Sequence, residues 1–315
     1  MSDKLPTPSL PAQPALHMQP GQPPIAATPI GGMPAAPSRL TRAWRKWKPI
    51  EIIVIIAAIF CVLPVLLIFI TAFKPDAEII HFYGLLPHDW TLANFREILG
   101  RPEEIPIFRW LGNSIFISTC TTALVLTVDS LAAYALARLA MPGRKWIFTV
   151  ILATLMVPGQ ILLVPVYLLL NKIGWLDSPL ALIVPHASGA FGVFLLHQFF
   201  KAIPKEMEEA AELDGCSPMA VYWYIMLPLA KPALATLAIF TFIGSWNDFL
   251  GPLVFLDSAE KFTLPVGVAL FQTSYYAEYG LTLAACVVCT LPIILIFLLF
   301  HKHIIKGIAA SGLKE

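Results

Sequence analysis

Six long apolar segments limit what this chain can fold into. Each has close to the ~20 residues that an α-helix needs to cross the hydrocarbon core of a bilayer. Because the segments are apolar on all sides, instead of alternating with a period of two, they predict helices and not barrel strands. We therefore expect an all-α, polytopic membrane protein with six transmembrane helices. The predicted spans cover about residues 50–73, 111–137, 146–170, 180–200, 233–256 and 281–300.

The composition excludes a soluble domain. Hydrophobic residues make up 57% of the 315 residues and charged residues only 13%, whereas an average soluble protein has about 25% charged residues. The formal net charge is +1, so the chain lacks the basic surface that nucleic-acid binding requires. We therefore expect the chain to contact membrane lipid and no nucleic acid.

Two segments precede the first span. Residues 1–38 contain ten prolines and little charge, a composition that cannot bury enough apolar surface to offset the entropy lost on ordering. We expect a disordered, Pro-rich cytoplasmic tail there. Residues 39–49 form a basic juxtamembrane segment, and residues 50–315 form a single six-span domain.

The distribution of Lys and Arg predicts the orientation. With the N-terminus inside, the inner segments hold fifteen Lys and Arg residues and the outer loops hold six. Because basic residues favour the cytoplasmic side of a membrane, we expect both termini in the cytoplasm. The loop at residues 201–232 is then cytoplasmic as well.

That cytoplasmic loop is acidic and has the signals of two short helices. Pro204 can begin a helix whose first turns favour carboxylates, and Gly215 is placed to end it with a left-handed cap. Ser217 and Pro218 are typical of the N-cap and the first residue of a second helix. The sequence thus predicts a helix, a glycine turn and a helix. Five carboxylates lie within nine residues of this loop: Glu206, Glu208, Glu209, Glu212 and Asp214.

The acidic loop contains every position of the pattern EAA-x3-G-x9-I-x-LP, which resembles the EAA signature of ABC importer permeases. The matching residues are Glu209, Ala210, Ala211, Gly215, Ile225, Leu227 and Pro228. Further motifs are similar to the carbohydrate-uptake branch of that family, and the likeness covers about residues 45–315. These motifs lie at residues 132–138, 142–144, 164–167, 174–178, 245–249, 263–267 and 306–308.

The resemblance implies the type I ABC importer permease fold and a permease subunit of a binding-protein-dependent sugar importer. The chain is similar to the shorter permease of maltose-, lactose- and glycerol-phosphate-type systems. By this resemblance it pairs with a second, homologous permease and sits on a dimer of cytoplasmic ABC ATPases. An extracytoplasmic binding protein delivers the sugar, and the location implied is a bacterial-type inner membrane.

The chemistry of ATP is expected in a partner. This chain has no G-x4-GK[ST] sequence, so ATP-Mg is expected to bind the ATPase subunits and not this one. We expect the chain to be no enzyme and to bind no cofactor or metal. Cys286 and Cys289 are interpreted as packing residues of a membrane helix.

The resemblance also implies that the acidic loop is the coupling helix, the segment that docks on an ATPase. Its motion would then link ATP binding to the membrane spans. The residues to which we assign this role are Glu208, Glu209, Ala210, Ala211, Asp214, Gly215, Ser217, Pro218, Leu227 and Pro228.

Two smaller groups are further candidates. Trp246, Asn247 and Asp248 lie in the fifth span, just before an expected unwinding at Gly251 and Pro252. They either line the sugar path or shape an outer gate. Three aromatic residues of the last outer loop suit either docking of the binding protein or the membrane-surface belt. They are Phe271, Tyr275 and Tyr276.

Two other classes of protein stay open. An ion-coupled secondary transporter would also be polytopic, but it usually carries a chain of intramembrane acids or bases, whereas Asp129 and Asp248 are nearly alone in these spans. A polytopic membrane enzyme has less support, because H-E-x-x-H and G-x-S-x-G are absent. We interpret Asp129 as a structural group that pairs with a neighbouring helix or is kept neutral by burial.

Overall fold

The computed structural model describes residues 49–81, 84–274 and 278–312. The expected disordered tail at residues 1–38 and nearly all of the basic segment lie outside the described residues. The chain divides into two compact units, Met1–Ala58 and Ile59–Glu315. The described part of the first unit is the opening of one exposed helix. All contacts reported below belong to the second unit.

Every regular element of the described residues is helical. Short 3₁₀ segments lie at Gly159–Leu162 and Ala259–Lys261, and a π-helical segment, Tyr222–Met226, joins two of the helices. Numbered in chain order, the α-helices are α1 (Pro49–Thr71), α2 (Asp76–His81), α3 (Ala93–Gly100), α4 (Ile107–Arg138), α5 (Arg144–Thr154), α6 (Leu163–Lys172), α7 (Leu180–Ile183), α8 (Ala190–Ala202), α9 (Glu206–Leu213), α10 (Pro218–Val221), α11 (Leu227–Leu229), α12 (Lys231–Trp246), α13 (Leu250–Phe255), α14 (Leu264–Ser274) and α15 (Tyr279–Gly312).

Helices α1, α4 and α15 are each long and apolar enough to cross a membrane. Two bent pairs raise the number of candidate spans among the described residues to five: Arg144–Thr154 with Gly159–Lys172, bent by 91°, and Pro218–Leu229 with Lys231–Trp246, bent by 77°. The fourth predicted span is divided between α7 and the apolar helix α8. All six predicted segments therefore contain helix, but the third, fourth and fifth are interrupted.

Asp129 of α4 supports the interruption between α7 and α8. Its Oδ1 accepts hydrogen bonds from the Ser188 hydroxyl (2.6 Å) and the Gly189 backbone N–H (3.1 Å), and Oδ2 lies 3.2 Å from the same N–H. Backbone groups that a break frees inside a membrane need partners within the protein. The fully buried carboxyl group of Asp129 supplies one, so its predicted pairing with a neighbouring helix is confirmed.

The fifth span breaks earlier than the sequence suggested. We expected unwinding at Gly251 and Pro252, but both residues lie in the first turn of α13, and the break is at residues 247–249. Proline is tolerated in the first turn of a helix because its missing N–H has no intrahelical partner there. Oδ1 of Asp248 accepts a hydrogen bond from the Gly251 N–H (3.3 Å) and so helps to begin the new helix.

Helix α4 contributes to all three hydrophobic clusters of the described residues. Its C-terminal part packs with α8 and the segment around Tyr222. Its first turn places Trp110 in a second cluster with α14 and α15. Between these, Ile117 packs against α7 and the end of α13. Helix α4 therefore has a central position among the described helices.

Asp177 joins two of the predicted outer loops. Its carboxylate accepts hydrogen bonds from the Ser258 hydroxyl (2.6 Å) and N–H (3.0 Å) and pairs with Lys261 (2.7 Å). The hydrogen bond from Lys261, helped by those from Ser258, lowers the pKa of Asp177 well below its usual range. The loop after α6 is thereby tied to the loop after α13.

Gly192 permits the close contact between α8 and α4, because it has no side chain. A Cβ at Gly192 would lie 2.0 Å from Oδ2 of Asp129 and 3.1 Å from Cδ1 of Leu237. We expect Gly192→Ala to destabilise the folded state by about 1–3 kcal/mol, the usual cost of overpacking. The measurement is the thermal unfolding midpoint of the purified complex in detergent.

Gly112→Ala in α4 is the matched control, because a Cβ there meets no atom within 4 Å. Asp129→Ala should lower the unfolding midpoint less in the Gly192→Ala background than in the native chain, since Gly192→Ala already displaces the carboxyl group. Equal midpoints for Gly192→Ala and Gly112→Ala would contradict the close approach of the two helices.

Candidate functional site

The acidic loop has the predicted form of helix, glycine turn and helix. Gly215 adopts a left-handed φ of +85° directly after α9. The Gly215 N–H donates to Glu212 O (3.0 Å) and the Cys216 N–H donates to Ala211 O (2.9 Å), which is the hydrogen-bond pattern of a Schellman cap. Ser217 then accepts a hydrogen bond from the Ala220 N–H (3.3 Å) and caps α10. Backbone geometry thus fixes the angle between the two short helices.

One side of α9 is buried against the rest of the protein and the other is exposed to solvent. Ala211 packs into the cluster with Phe200 and Tyr222, whereas Glu209, Ala210 and Asp214 are exposed. Leu213 is 90% exposed. The side of α9 that carries Glu209 and Leu213 is therefore not covered by the rest of the described chain.

The segment after α9 runs from Pro218 to Leu229 before the chain bends by 77° into α12. The π-helical part buries Tyr222 and Met226, while Leu227 is half-buried and Pro228 is exposed. Ala230 at the bend is fully buried. The segment is therefore attached to the bundle by its buried side and bent where it enters the fifth span.

Three polar side chains of α4 connect that helix to the acidic loop. They are Ser130, Tyr134 and Arg138, spaced four residues apart and so on one face of the helix. The Ser130 hydroxyl lies 2.7 Å from the Tyr222 hydroxyl, and the Tyr134 hydroxyl donates to Pro218 O at 3.0 Å. Arg138 Nε lies 2.8 Å from Glu208 Oε1. We call these three residues the α4 ladder.

Arg138 joins three elements. One of its terminal nitrogens donates to Phe200 O (2.6 Å) and Ile203 O at the end of α8, while Nε pairs with Glu208 at the start of α9. The two side chains are only 5% and 15% exposed. Burial raises the pKa of Glu208, and the charge of Arg138 opposes that shift. Removing one partner of a buried ion pair typically costs about 3–5 kcal/mol.

Sequence reasoning missed the α4 ladder, although its spacing is visible in the printed sequence. The partners lie 92, 84 and 70 residues further along the chain. Periodicity indicates which residues share a face of α4, but it does not indicate what packs against that face. The sequence therefore predicted the loop and its turn but not its attachment.

Two cavities of about 350 and 430 Å³ lie beside the breaks of the fourth and fifth spans. Both are lined by Pro185, His186 and Asp248. Of the predicted path residues, Asp248 therefore lines cavities and Asn247 is exposed. Trp246 is 1% exposed and stacks on Phe242 with ring centroids 5.9 Å apart, so it lines neither cavity.

The third candidate group falls at the edge of the described residues. Phe271 belongs to α14, while Tyr275 and Tyr276 lie outside the part of the chain that the structure describes. Their assignment to binding-protein docking stays a prediction.

A family model and curated relatives of this chain point to the same protein family. A family model described as "Binding-protein-dependent transport system inner membrane component" matches residues 129–310. The chain is 36% identical to the arabinooligosaccharides transport system permease protein AraQ of Halalkalibacterium halodurans, over 80% of this chain and 91% of that protein.

Solved structures show the same fold. One chain of a bacterial ABC transporter that imports the acidic polysaccharide alginate matches with a TM-score of 0.72 and 24% identity, over 80% of this chain and 93% of that one. A chain of an alginate transporter in complex with a pentasaccharide-bound periplasmic protein matches with a TM-score of 0.60 and 15% identity, over 82% and 93%. The protein therefore belongs to the family of binding-protein-dependent transport system inner membrane components, with the polytopic fold of an ABC importer permease.

Proposed function

We propose that the protein is the transmembrane permease subunit of an ATP-driven importer that moves a sugar, or a sugar-like polyol or glycerol phosphate, into the cytoplasm. The observation that carries this proposal is α9 with its free surface, attached to the central helix α4 through the α4 ladder. The names of relatives agree with sugar as the cargo, since AraQ is named for arabinooligosaccharides.

ATP binding and hydrolysis belong to partner subunits in this proposal. A dimer of cytoplasmic ATPases uses ATP-Mg, and one ATPase receives the exposed side of α9 around Glu209 and Leu213. A second, homologous permease completes the membrane part. An extracytoplasmic protein delivers the sugar, as the periplasmic protein in the alginate transporter complex suggests.

Coupling follows from the attachment of α9. A partner shifts a conformational equilibrium only by binding one state better than the other. The docked ATPase can therefore act on the membrane spans only through contacts between the acidic loop and those spans. The α4 ladder provides such contacts between α4 and the segment from α9 to Tyr222, and Arg138 also binds the end of α8. The coupling residues Glu208, Ala211, Gly215, Ser217 and Pro218 give the loop its attachment and angle.

The remaining assignments complete the proposal. Both termini lie in the cytoplasm, so α9 faces the ATPases and the loops tied by Asp177 face outward. Asp248 lines the sugar path, while Trp246 and Asn247 shape the break beside it. Phe271, Tyr275 and Tyr276 belong to the region that meets the binding protein.

ATP-dependent uptake tests the function directly. We expect the chain to copurify with an ATPase and a sister permease, and we expect proteoliposomes holding this complex to take up sugar only with ATP and binding protein. An uncoupler that collapses the proton gradient should leave uptake unchanged. Uptake that follows the proton gradient and ignores ATP would instead indicate an ion-coupled transporter.

Gly215→Val is expected to weaken coupling. A β-branched residue at φ of +85° is strained by about 1–2 kcal/mol, so the turn should lose its fixed angle and ATPase docking should weaken roughly tenfold. No atom within 4 Å would clash with the new Cβ, so membrane insertion should be unaffected. The measurement is sugar uptake per ATP hydrolysed.

Gly215→Asn is the matched control, because asparagine tolerates the left-handed region better than valine. We expect its coupling to lie between that of the native chain and Gly215→Val. Normal coupling in Gly215→Val would show that the angle of the turn does not matter.

Arg138→Ala should separate ATP hydrolysis from uptake. The change leaves Glu208 and two carbonyl groups without their cationic partner, so the motion of α9 should no longer reach α4. We expect basal ATPase activity to persist while uptake falls. Arg138→Lys should also reduce sugar uptake while basal ATPase activity persists, since an ammonium group does not reproduce the contacts of the planar guanidinium.

Lys145→Ala serves as the control at the same end of the bundle, where Lys145 is exposed. Copurification of the ATPase with each variant shows whether the complex still assembles. Uptake and ATPase activity that fall in equal proportion in an assembled Arg138→Ala complex would contradict a role in transmission.

A further inference from the structure

The 350 Å³ cavity has the mixed lining that a sugar requires. The residues that line it include the hydroxyl-bearing Thr121, Thr241 and Ser245 together with the apolar Phe191 and Leu237. Sugars present hydroxyl edges and apolar C–H faces, and binding pockets combine apolar walls with a few placed polar groups. The cavity can therefore hold a saccharide ring.

Two broken helices begin beside this cavity, and each beginning already has a carboxyl group. Asp129 accepts a hydrogen bond from the Gly189 N–H where α8 starts, and Asp248 accepts one from the Gly251 N–H in the first turn of α13. Half-helix N-termini inside membranes are where transporters attract anionic groups of a substrate. Here the carboxyl group of Asp129 already occupies that position at α8, and the carboxyl group of Asp248 lies beside the short helix α13.

The lining supplies no other strong attraction for an anion. Among the described residues that line the two cavities there is neither lysine nor arginine. His186 is the basic side chain of that lining, and its Nδ1 lies 2.9 Å from Leu182 O. A carbonyl oxygen only accepts, so Nδ1 donates to it and is not available to a ligand.

We infer that this cavity forms part of the sugar path and takes neutral or cationic saccharides, while it disfavours uronates, sulfonated sugars and glycerol phosphates. This inference rests on the proposed function and narrows its cargo. An anionic sugar would leave water for a site whose described lining holds neither lysine nor arginine. It would also lie next to Asp248, and juxtaposed like charges cost several kcal/mol. A neutral sugar can instead donate its hydroxyl hydrogens to the carboxyl oxygens of Asp248, which lines the cavity.

Charged thiol reagents measure the potential in the cavity without any knowledge of the cargo. In the assembled complex, with the five native cysteines replaced, Thr241→Cys is treated with a cationic and an anionic methanethiosulfonate of similar size. We expect the ratio of cationic to anionic reaction rates to exceed that of free cysteine by at least about tenfold. Asp248→Asn should bring the ratio back towards that of free cysteine.

Two results would overturn the inference. One is a rate ratio at or below that of free cysteine, which would mean that the cavity does not repel anions. The other is no reaction with either reagent, which would mean that water and solutes do not reach the cavity.

A cargo panel gives the second test. The complex with its cognate binding protein is offered labelled neutral oligosaccharides, an amino sugar, a uronate oligosaccharide and glycerol phosphate. We expect ATP-driven uptake of neutral or amino sugars alone. Saturable uptake of the uronate or the phosphate would refute the charge preference yet leave the proposed function standing, whereas failure to import any of these with ATP would count against the proposed function.

Discussion

The buried ion pair between Arg138 and Glu208 is the interaction on which the rest of this structure depends. It joins the end of α4, the end of α8 and the start of α9, three elements that are distant in the chain. Both charges are nearly excluded from water, so the pair persists only while the surrounding hydrogen bonds hold its geometry. Ser130 and Tyr134 extend the same contact along α4. We therefore propose that a movement of α9 is transmitted to α4, the helix that packs into all three hydrophobic clusters.

Buried polar side chains also hold backbone segments together at the breaks of the fourth and fifth spans. Asp129 and Asp248 each accept a hydrogen bond from a backbone N–H at the start of a helix that begins inside the bundle. Backbone groups that a break frees there need partners within the protein. Both residues also line the 350 Å³ cavity. We therefore expect the residues that permit the interrupted helices to disfavour an anion in that cavity as well.

The sequence predicted what depends on neighbouring residues. Length and all-round apolarity indicated the spans, and the left-handed turn at Gly215 followed from local capping rules. Contacts between distant residues were not predictable: the partners of Ser130, Tyr134 and Arg138 follow from packing, as does the burial of Trp246 against Phe242. The break of the fifth span was placed too late, because Gly251 and Pro252 look like an interruption but are tolerated in the first turn of a helix.

Distances between spin labels test most directly whether α9 and α4 move as one body. Labels at Met207 of α9 and Val128 of α4, both exposed, report on the two helices that the α4 ladder joins. Labels at Met207 and Leu295 of α15, also exposed, report on helices that the ladder does not join. When the ATPases close on ATP, we expect the first distance to stay unchanged and the second distance to change. A first distance that changes as much as the second would contradict the joint movement of α9 and α4.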